Sequence, residues 1–320
     1  MRSIIGTLLI KYKPPLLSLI FALYCFHNMK IELTAFKELT GFPSGSGIEF
    51  YDNKIYLAGD DAKDILVMSR KWKQRTLIHL FDNDEERIPK KEKADLEATT
   101  IVSINKKANL LLLGSGSTEQ RNKAVLLSLQ TNEKTEIDLS VFYQRIKAAG
   151  VEALNIEGAA TVGGYIVLSN RGNKSNKCNQ LIITGNEFWK KQDEAAFQLV
   201  KLDMEDAPED MCVSGITYSE KHEMLLLTTS TEDTDNAIDD GKIGASGIAF
   251  IENFYRKIGR EKGKMKINRL VDLSTADKKF RGFKIESVCI QSEKDRSLKV
   301  HLAADNDTGK TYLFKAVIKL

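Results

Sequence analysis

Residues 46–61 read SGIEFYDNKIYLAGDD: a small polar residue, a short apolar strand, a turn, a second apolar strand and an acidic loop. The same grammar returns in EATTIVSINKKANLLLLGSGS from Glu97, EGAATVGGYIVLSNRGN from Glu157, SGITYSEKHEMLLLTTSTED from Ser214 and ESVCIQSEKDRSLKVHLAADND from Glu286. A spacing of about 50 to 70 residues is that of propeller blades carrying insertions. The first strand of each unit is rich in Gly, Ala, Ser, Thr and Ile, as the crowded innermost position around a propeller axis requires. The second strand is more apolar and runs into Gly, Ser, Asn or Asp, the pattern of a buried strand entering a loop. A third strand follows in DILVMS, KAVLLSL, NQLIIT, ASGIAFIE and TYLFKAVIK. The sequence therefore predicts an all-β chain, a five-bladed β-propeller.

The last unit ends short of an outermost strand, while KIELTAFK at Lys30–Lys37 alternates ahead of the first unit. The N-terminal strand is expected to pair beside Thr311–Lys319 and close the ring, which removes an exposed sheet edge. One inserted helix is expected near 140–149, with Ser140 as N-cap and Gly150 as its stop.

Composition bounds the function. Lys and Arg number 47 against 44 Asp and Glu in 320 residues, a formal charge of +3, so the electrostatic footprint of a nucleic-acid binder is missing. Cys25, Cys178, Cys212 and Cys289 show no CxxC pair and no metal spacing with the four histidines, so neither zinc nor a disulfide framework is expected. The apolar run Leu16–Phe26 behind Arg2, Lys11 and Lys13 has signal-peptide length and is too short to span a bilayer. No small-x-small cleavage site follows, and Tyr24 is too bulky for a lipoprotein signal ending in Cys25. Residues 1–28 read either as an export signal, giving a periplasmic or secreted protein, or as leader ahead of a start at Met29, giving a cytoplasmic one. Residues 29–320 form the single propeller domain.

The first positions of the five units, Ser46, Glu97, Glu157, Ser214 and Glu286, form a ring if the inner strands start at one height. Carboxylates about 4 Å apart repel by roughly 4 kcal/mol per pair at an effective dielectric near 20, so protons or a cation must answer them. Oxygen donors without His or Cys favour a hard ion, and a flexible oxygen ring suits calcium better than magnesium. The alternative is a set of strand starts facing water or loop amides. The loops after the second strands open on the same face and carry Asp60, Asp61, Arg121, Asn170, Arg171, Lys174, Asp233, Asp305, Asn306 and Lys310. Beside a cation such a set can hold a small phosphorylated ligand, with Arg or Lys on the phosphate oxygens and an Asp orienting water. The competing reading is a row of ordinary polar turns. No Gly-x-Ser-x-Gly elbow, dinucleotide fingerprint or Walker loop occurs, and the basic run Tyr255–Lys266 reads as a solvated outer strand or hairpin.

The order Ser, Glu, Glu, Ser, Glu at these five starts resembles the calcium-activated nucleotidases, apyrase-type five-bladed propellers whose central calcium is held by residues in that order. SGIEFYDNKIYLAGDD looks like the first blade of that family, with its paired aspartates at Asp60 and Asp61. KADLEATTIV looks like its second inner strand, and SVFYQRIKAAG is similar to its helix. The resemblance covers most of residues 40–295. It implies a calcium-dependent hydrolase of phosphate esters or anhydrides, with catalytic roles for Asp60, Asp61 and Arg171. It departs where that family presents basic side chains from several loops: the first loop here continues Ala62, Lys63, the second reads GSGSTEQRNK and the third SNRGNKSNK. The chain also resembles uncharacterised bacterial propellers grouped with the phytase-like esterases. The rival expectation is a non-catalytic propeller with structural calcium that binds a protein, glycan or small ligand on its loop face.

Overall fold

The computed structural model describes residues 29–172, 178–205, 207, 208, 210–232, 243–305 and 309–320. Residues 1–28 with Cys25, and also Lys174, Asp233 and Asn306, lie outside that set. Five sheets stand around one axis. Their inner strands are Gly45–Tyr51, Leu96–Ile104, Ile156–Val162, Met211–Ser219 and Lys284–Lys294, each in an antiparallel hairpin with the strand that follows.

The apolar second strands follow from burial on both faces. In Lys107–Gly114, Leu110 and Leu112 join the core between blades 1 and 2, while Leu111 and Leu113 join the core between blades 2 and 3. A strand with period 2 and a blade on either side has no face left for polar residues, which turns alternation into a continuous apolar run. Five such cores result, one at each interface between neighbouring blades. The small residues of the inner strands have an equally direct cause. A Cβ on Gly158 would stand 2.7 Å from the Ile216 amide nitrogen, and one on Gly215 would stand 2.5 Å from the Glu286 carbonyl. Neighbouring inner strands approach too closely there for any side chain.

The N-terminal strand, Lys30–Pro43, pairs antiparallel with Lys310–Lys319 from Lys30 opposite Lys319 to Pro43 opposite Lys310, and so completes blade 5 as expected. Blade 3 carries an additional strand: Gly263–Lys266, from the basic run that ends blade 4's long excursion, lies parallel to Phe197–Asp203. Trp72, on a turn of blade 1, reaches across to blade 5, where its indole N–H donates to His301 Nδ1 at 3.1 Å. His301 thus carries its proton on Nε2, which meets Gln291 Oε1 at 2.9 Å.

The helix spans Ser140–Ala148 and buries Phe142, Tyr143 and Ile146 between blades 2 and 3. Ser140 is its first residue rather than its cap: the Asp138 carboxylate accepts from the Ser140 amide at 2.8 Å. Gly150 follows the C-cap Ala149 with φ of 106°, the positive φ expected of a stop. The helix matters to the site because the Tyr143 hydroxyl donates to the Gly114 carbonyl at 2.8 Å and Lys147 Nζ to that of Gly116 at 2.9 Å. Both bonds fix the loop that presents Ser115 and Arg121. Cys212 and Cys289 are buried thiols and Cys178 is partly exposed. No helix among the described residues is long and apolar enough to cross a membrane.

Candidate metal centre

One structural device recurs in every blade. The pairing of inner and second strands slips by a single residue between Gly45 and Gly47, Leu96 and Ala98, Ile156 and Gly158, Val213 and Gly215, and Ile285 and Ser287. The residue in each slip is Ser46, Glu97, Glu157, Ser214 or Glu286. A bulge re-aims the side chain it carries, so all five blades use the same local distortion at the residue the sequence singles out. Repulsion links the carboxylates: Glu157 acts on both Glu97 and Glu286.

The five do not behave alike. Ser46 donates from its hydroxyl to the Leu96 carbonyl at 2.7 Å, and Ser214 to the Ile285 carbonyl at 2.5 Å. Each serine ties its blade to the backbone immediately before a glutamate of the next. Glu157 receives the Asn155 amide at 2.6 Å and lies 3.5 Å from Arg171 Nη1. Glu286 pairs with Lys284 Nζ at 3.3 Å. In both blades this donor sits two residues before the glutamate. In blade 2 that position is Asp95. Among the described residues no side chain hydrogen-bonds the Glu97 carboxylate, and single oxygens of Asp60, Asp95 and Glu97 lie within 4.8 Å of one another.

Of the charged groups around this trio, Arg121 and Asp61 are expected from the sequence, whereas Lys93 and Arg87 are not. Lys93 Nζ pairs with Asp60 Oδ2 and lies 2.7 Å from Asp95 Oδ1. Arg121 Nη1 holds Asp95 Oδ2 at 2.8 Å, and the Ser115 hydroxyl donates to the same oxygen at 2.5 Å. Arg87 Nε grips Asp61 Oδ2 at 2.6 Å. Asp60 Oδ1 and Asp61 Oδ1 are buried with no hydrogen-bond partner among the described residues. Asp95 itself takes φ of 56°, the left-handed region that an Asp tolerates better than most residues.

Electrostatics follow the packing. Enclosure at the axis, and then the charges of Asp95, Asp60 and Glu157, push the Glu97 carboxyl well above the usual range. Burial, only partly offset by Lys93, raises Asp60 to about 6. Burial likewise raises Glu286 to about 8 against the pull of Lys284. Burial works against the Lys93 ammonium, but Asp60 and Asp95 outweigh it and its pKa is lifted.

The remaining expected residues divide. Arg121 and Arg171 reach the mouth, yet both are buried and engaged by carboxylates. Asn170 braces the backbone, its Oδ1 accepting from the Asn155 amide at 2.7 Å. Asp305 stands close enough to act on Glu286 and Arg87. Lys310 is drawn away to Glu38 on the N-terminal strand at 3.0 Å.

Solved structures that resemble the chain are propeller-like relatives of low identity. They include a Myxococcus xanthus glutaminyl cyclase (8% identity, 91% of this chain and 97% of that one, TM-score 0.48). A GH43 β-1,3-galactosidase shows 12% identity over 85% of this chain and 89% of its own, with TM-score 0.47. A member of the DUF4221 family from Bacteroides vulgatus shows 11% identity over 91% and 99%, with TM-score 0.37. No curated protein matches the sequence. One family model does, across residues 41–318 and so from the first blade into strand Lys310–Lys319, and by that match the chain belongs to the family of unknown function DUF6929.

Proposed function

We propose that this protein is a binding propeller whose axial mouth takes a divalent cation, calcium first, at Asp60, Asp95 and Glu97. The observation that carries the reading is the substitution of an acid for a donor in blade 2: where Asn155 and Lys284 serve Glu157 and Glu286, Asp95 repels Glu97. The donor set fits a hard ion, since it is all oxygen and includes a buried, unpartnered Asp60 Oδ1. Glu157 and Glu286, each with its own basic partner, stand outside the immediate ligands, and the hydroxyls of Ser46 and Ser214 hold backbone. The ion would organise the loop face for an anionic or polar ligand.

A calcium-dependent hydrolase of phosphate esters or anhydrides is the second reading. Arg87 supports it: its side chain is 55% exposed at the rim, beside Asp61 with one unpartnered oxygen. The binding role ranks first because Arg121 and Arg171, the arginines expected on phosphate, serve carboxylates instead.

An ion held only by the folded state at a hundred times its dissociation constant adds about 2.7 kcal/mol. Chelation should lower the melting temperature by several degrees, calcium should restore it and magnesium should restore it poorly. A melting temperature indifferent to chelator, with no calcium found by metal analysis of untreated protein, would refute the reading. Phosphate release from nucleotides, phytate or simple esters in calcium would move the second reading to first place.

A further inference from the structure

The ammonium of Lys93 lies where a cation between Asp60 and Asp95 would lie. Asp95 has two oxygens, and Oδ2 is already held by Arg121 at 2.8 Å and Ser115 at 2.5 Å. The oxygen left for a metal is Oδ1, on which Lys93 sits at 2.7 Å, while its other contact is Asp60 Oδ2. Charge leads to the same conclusion. With all four carboxyls ionised, as metal binding requires, Asp60, Asp61, Asp95 and Glu97 face Arg87, Lys93 and Arg121, one negative charge in excess. A divalent ion added to that set would overshoot, whereas the same ion in place of Lys93 balances it. Lys93 can leave: it lies in the irregular connection between strand Thr76–His79 and strand Leu96–Ile104. Its side chain is four carbons of flexible stem.

We infer that Lys93 and the divalent cation exclude one another, so that Lys93 is a tethered competitor that keeps the ion-free centre folded and sets how tightly the ion is held. The inference rests on the cation reading above and adds the residue that regulates the site. It has a consequence for Lys93 itself, which passes from 9% side-chain exposure and two carboxylate partners to solvent when the ion arrives.

Two measurements test it. Calcium titrated calorimetrically into wild-type protein and the Lys93→Met variant should bind the variant at least tenfold more tightly, and the ion-free variant should melt lower than wild type. In wild-type protein, amine labelling followed by peptide mass spectrometry should modify Lys93 several-fold faster with calcium than with chelator, with exposed Lys107 unchanged. Calcium binding to wild type with no gain in the variant, or Lys93 labelling that calcium leaves unchanged or slows, overturns the competition and leaves the cation site standing. Calcium binding to neither protein overturns both. Should Lys93→Met fail to fold, the labelling of wild-type protein decides alone.

Discussion

Blades 2 and 3 carry a glutamate at the same bulge, and the residue two positions earlier decides what each glutamate meets. In blade 3, Asn155 turns its amide onto Glu157 at 2.6 Å and Arg171 closes from the other side. In blade 2, Asp95 occupies the equivalent place, so the local partner of Glu97 is repulsive, and the nearby cations Lys93 and Arg121 reach Asp95 instead. The same backbone geometry thus produces a self-contained ion pair in one blade and an incompletely answered carboxylate cluster in its neighbour. An uncompensated charge in a buried network costs stability, which is why the proposed cation is placed in blade 2.

The largest expected effect is Asp95→Ala. It strands Lys93 and Arg121, both nearly buried, without their shared partner, and loss of one member of a buried ionic set costs about 3–5 kcal/mol. Urea denaturation should show it as a lower midpoint at unchanged slope. Asp95→Asn is the sharper variant, because Asn tolerates the left-handed backbone and recreates the Asn155 pattern. It should lose much less stability than Asp95→Ala and abolish the calcium response; a calcium response of wild-type size in Asp95→Asn breaks the comparison.

The neutral network between blades 5 and 1 supplies the reference for a buried polar group without charge. Burial, reinforced by Lys315 and Lys299, lowers the His301 pKa from 6.5 to about 3. The unfolded chain therefore binds the proton first, so stability is full above pH 6.5 and falls as pH drops toward 3. By pH 4 the loss attributable to His301 is about 3 kcal/mol at 1.36 kcal/mol per pH unit. His301→Gln, which does not titrate, should show melting temperatures between pH 7 and 4 that are flatter by that amount; equal slopes would remove the histidine from the account.

Ser46→Ala and Ser214→Ala give the smallest change. Each deletes a hydroxyl bond to a neighbouring blade's carbonyl, worth about 1 kcal/mol, and Ser214→Ala also removes a contact with Thr228 Oγ1 at 3.1 Å. The pair should be additive, since the two sites share no partner. If Ser46→Ala costs several times more than Ser214→Ala, the blade 1 serine also serves the cluster beside it.

Much of this was open to a reader of the sequence. The recurrent strand pair fixes five blades because apolar runs such as LLLL require a neighbour on each face, and KIELTAFK announces the closing strand. The ring positions were also readable. Their bulges were not, since a one-residue slip shows as a shift in alternation, and the inner strands are buried on both faces there and carry no alternation to shift. Lys93 and Arg87 were missed because they lie in DNDEERIPKKEKAD, a charged connection whose return to the mouth depends on tertiary contacts such as the Ile88 amide on the Asp61 carbonyl at 2.8 Å. A signal for Asp95 did exist. Aligned on their glutamates, ADLE, LNIE and FKIE show Asp95, Asn155 and Lys284 in one column, and the acid among donors was there to be noticed.

The closing strand has a mechanical consequence. Lys30 lies opposite Lys319, and Ile31 opposite Ile318, so the start of one strand and the end of the other meet at one end of the ladder. Force drawing those two residues apart acts along the interstrand hydrogen bonds, which run perpendicular to antiparallel strands, and loads them one rung at a time. Every other inner hairpin is joined covalently by a turn. Under tension the ring should open at this seam like a zip, at low force, with the four blades beyond it still folded.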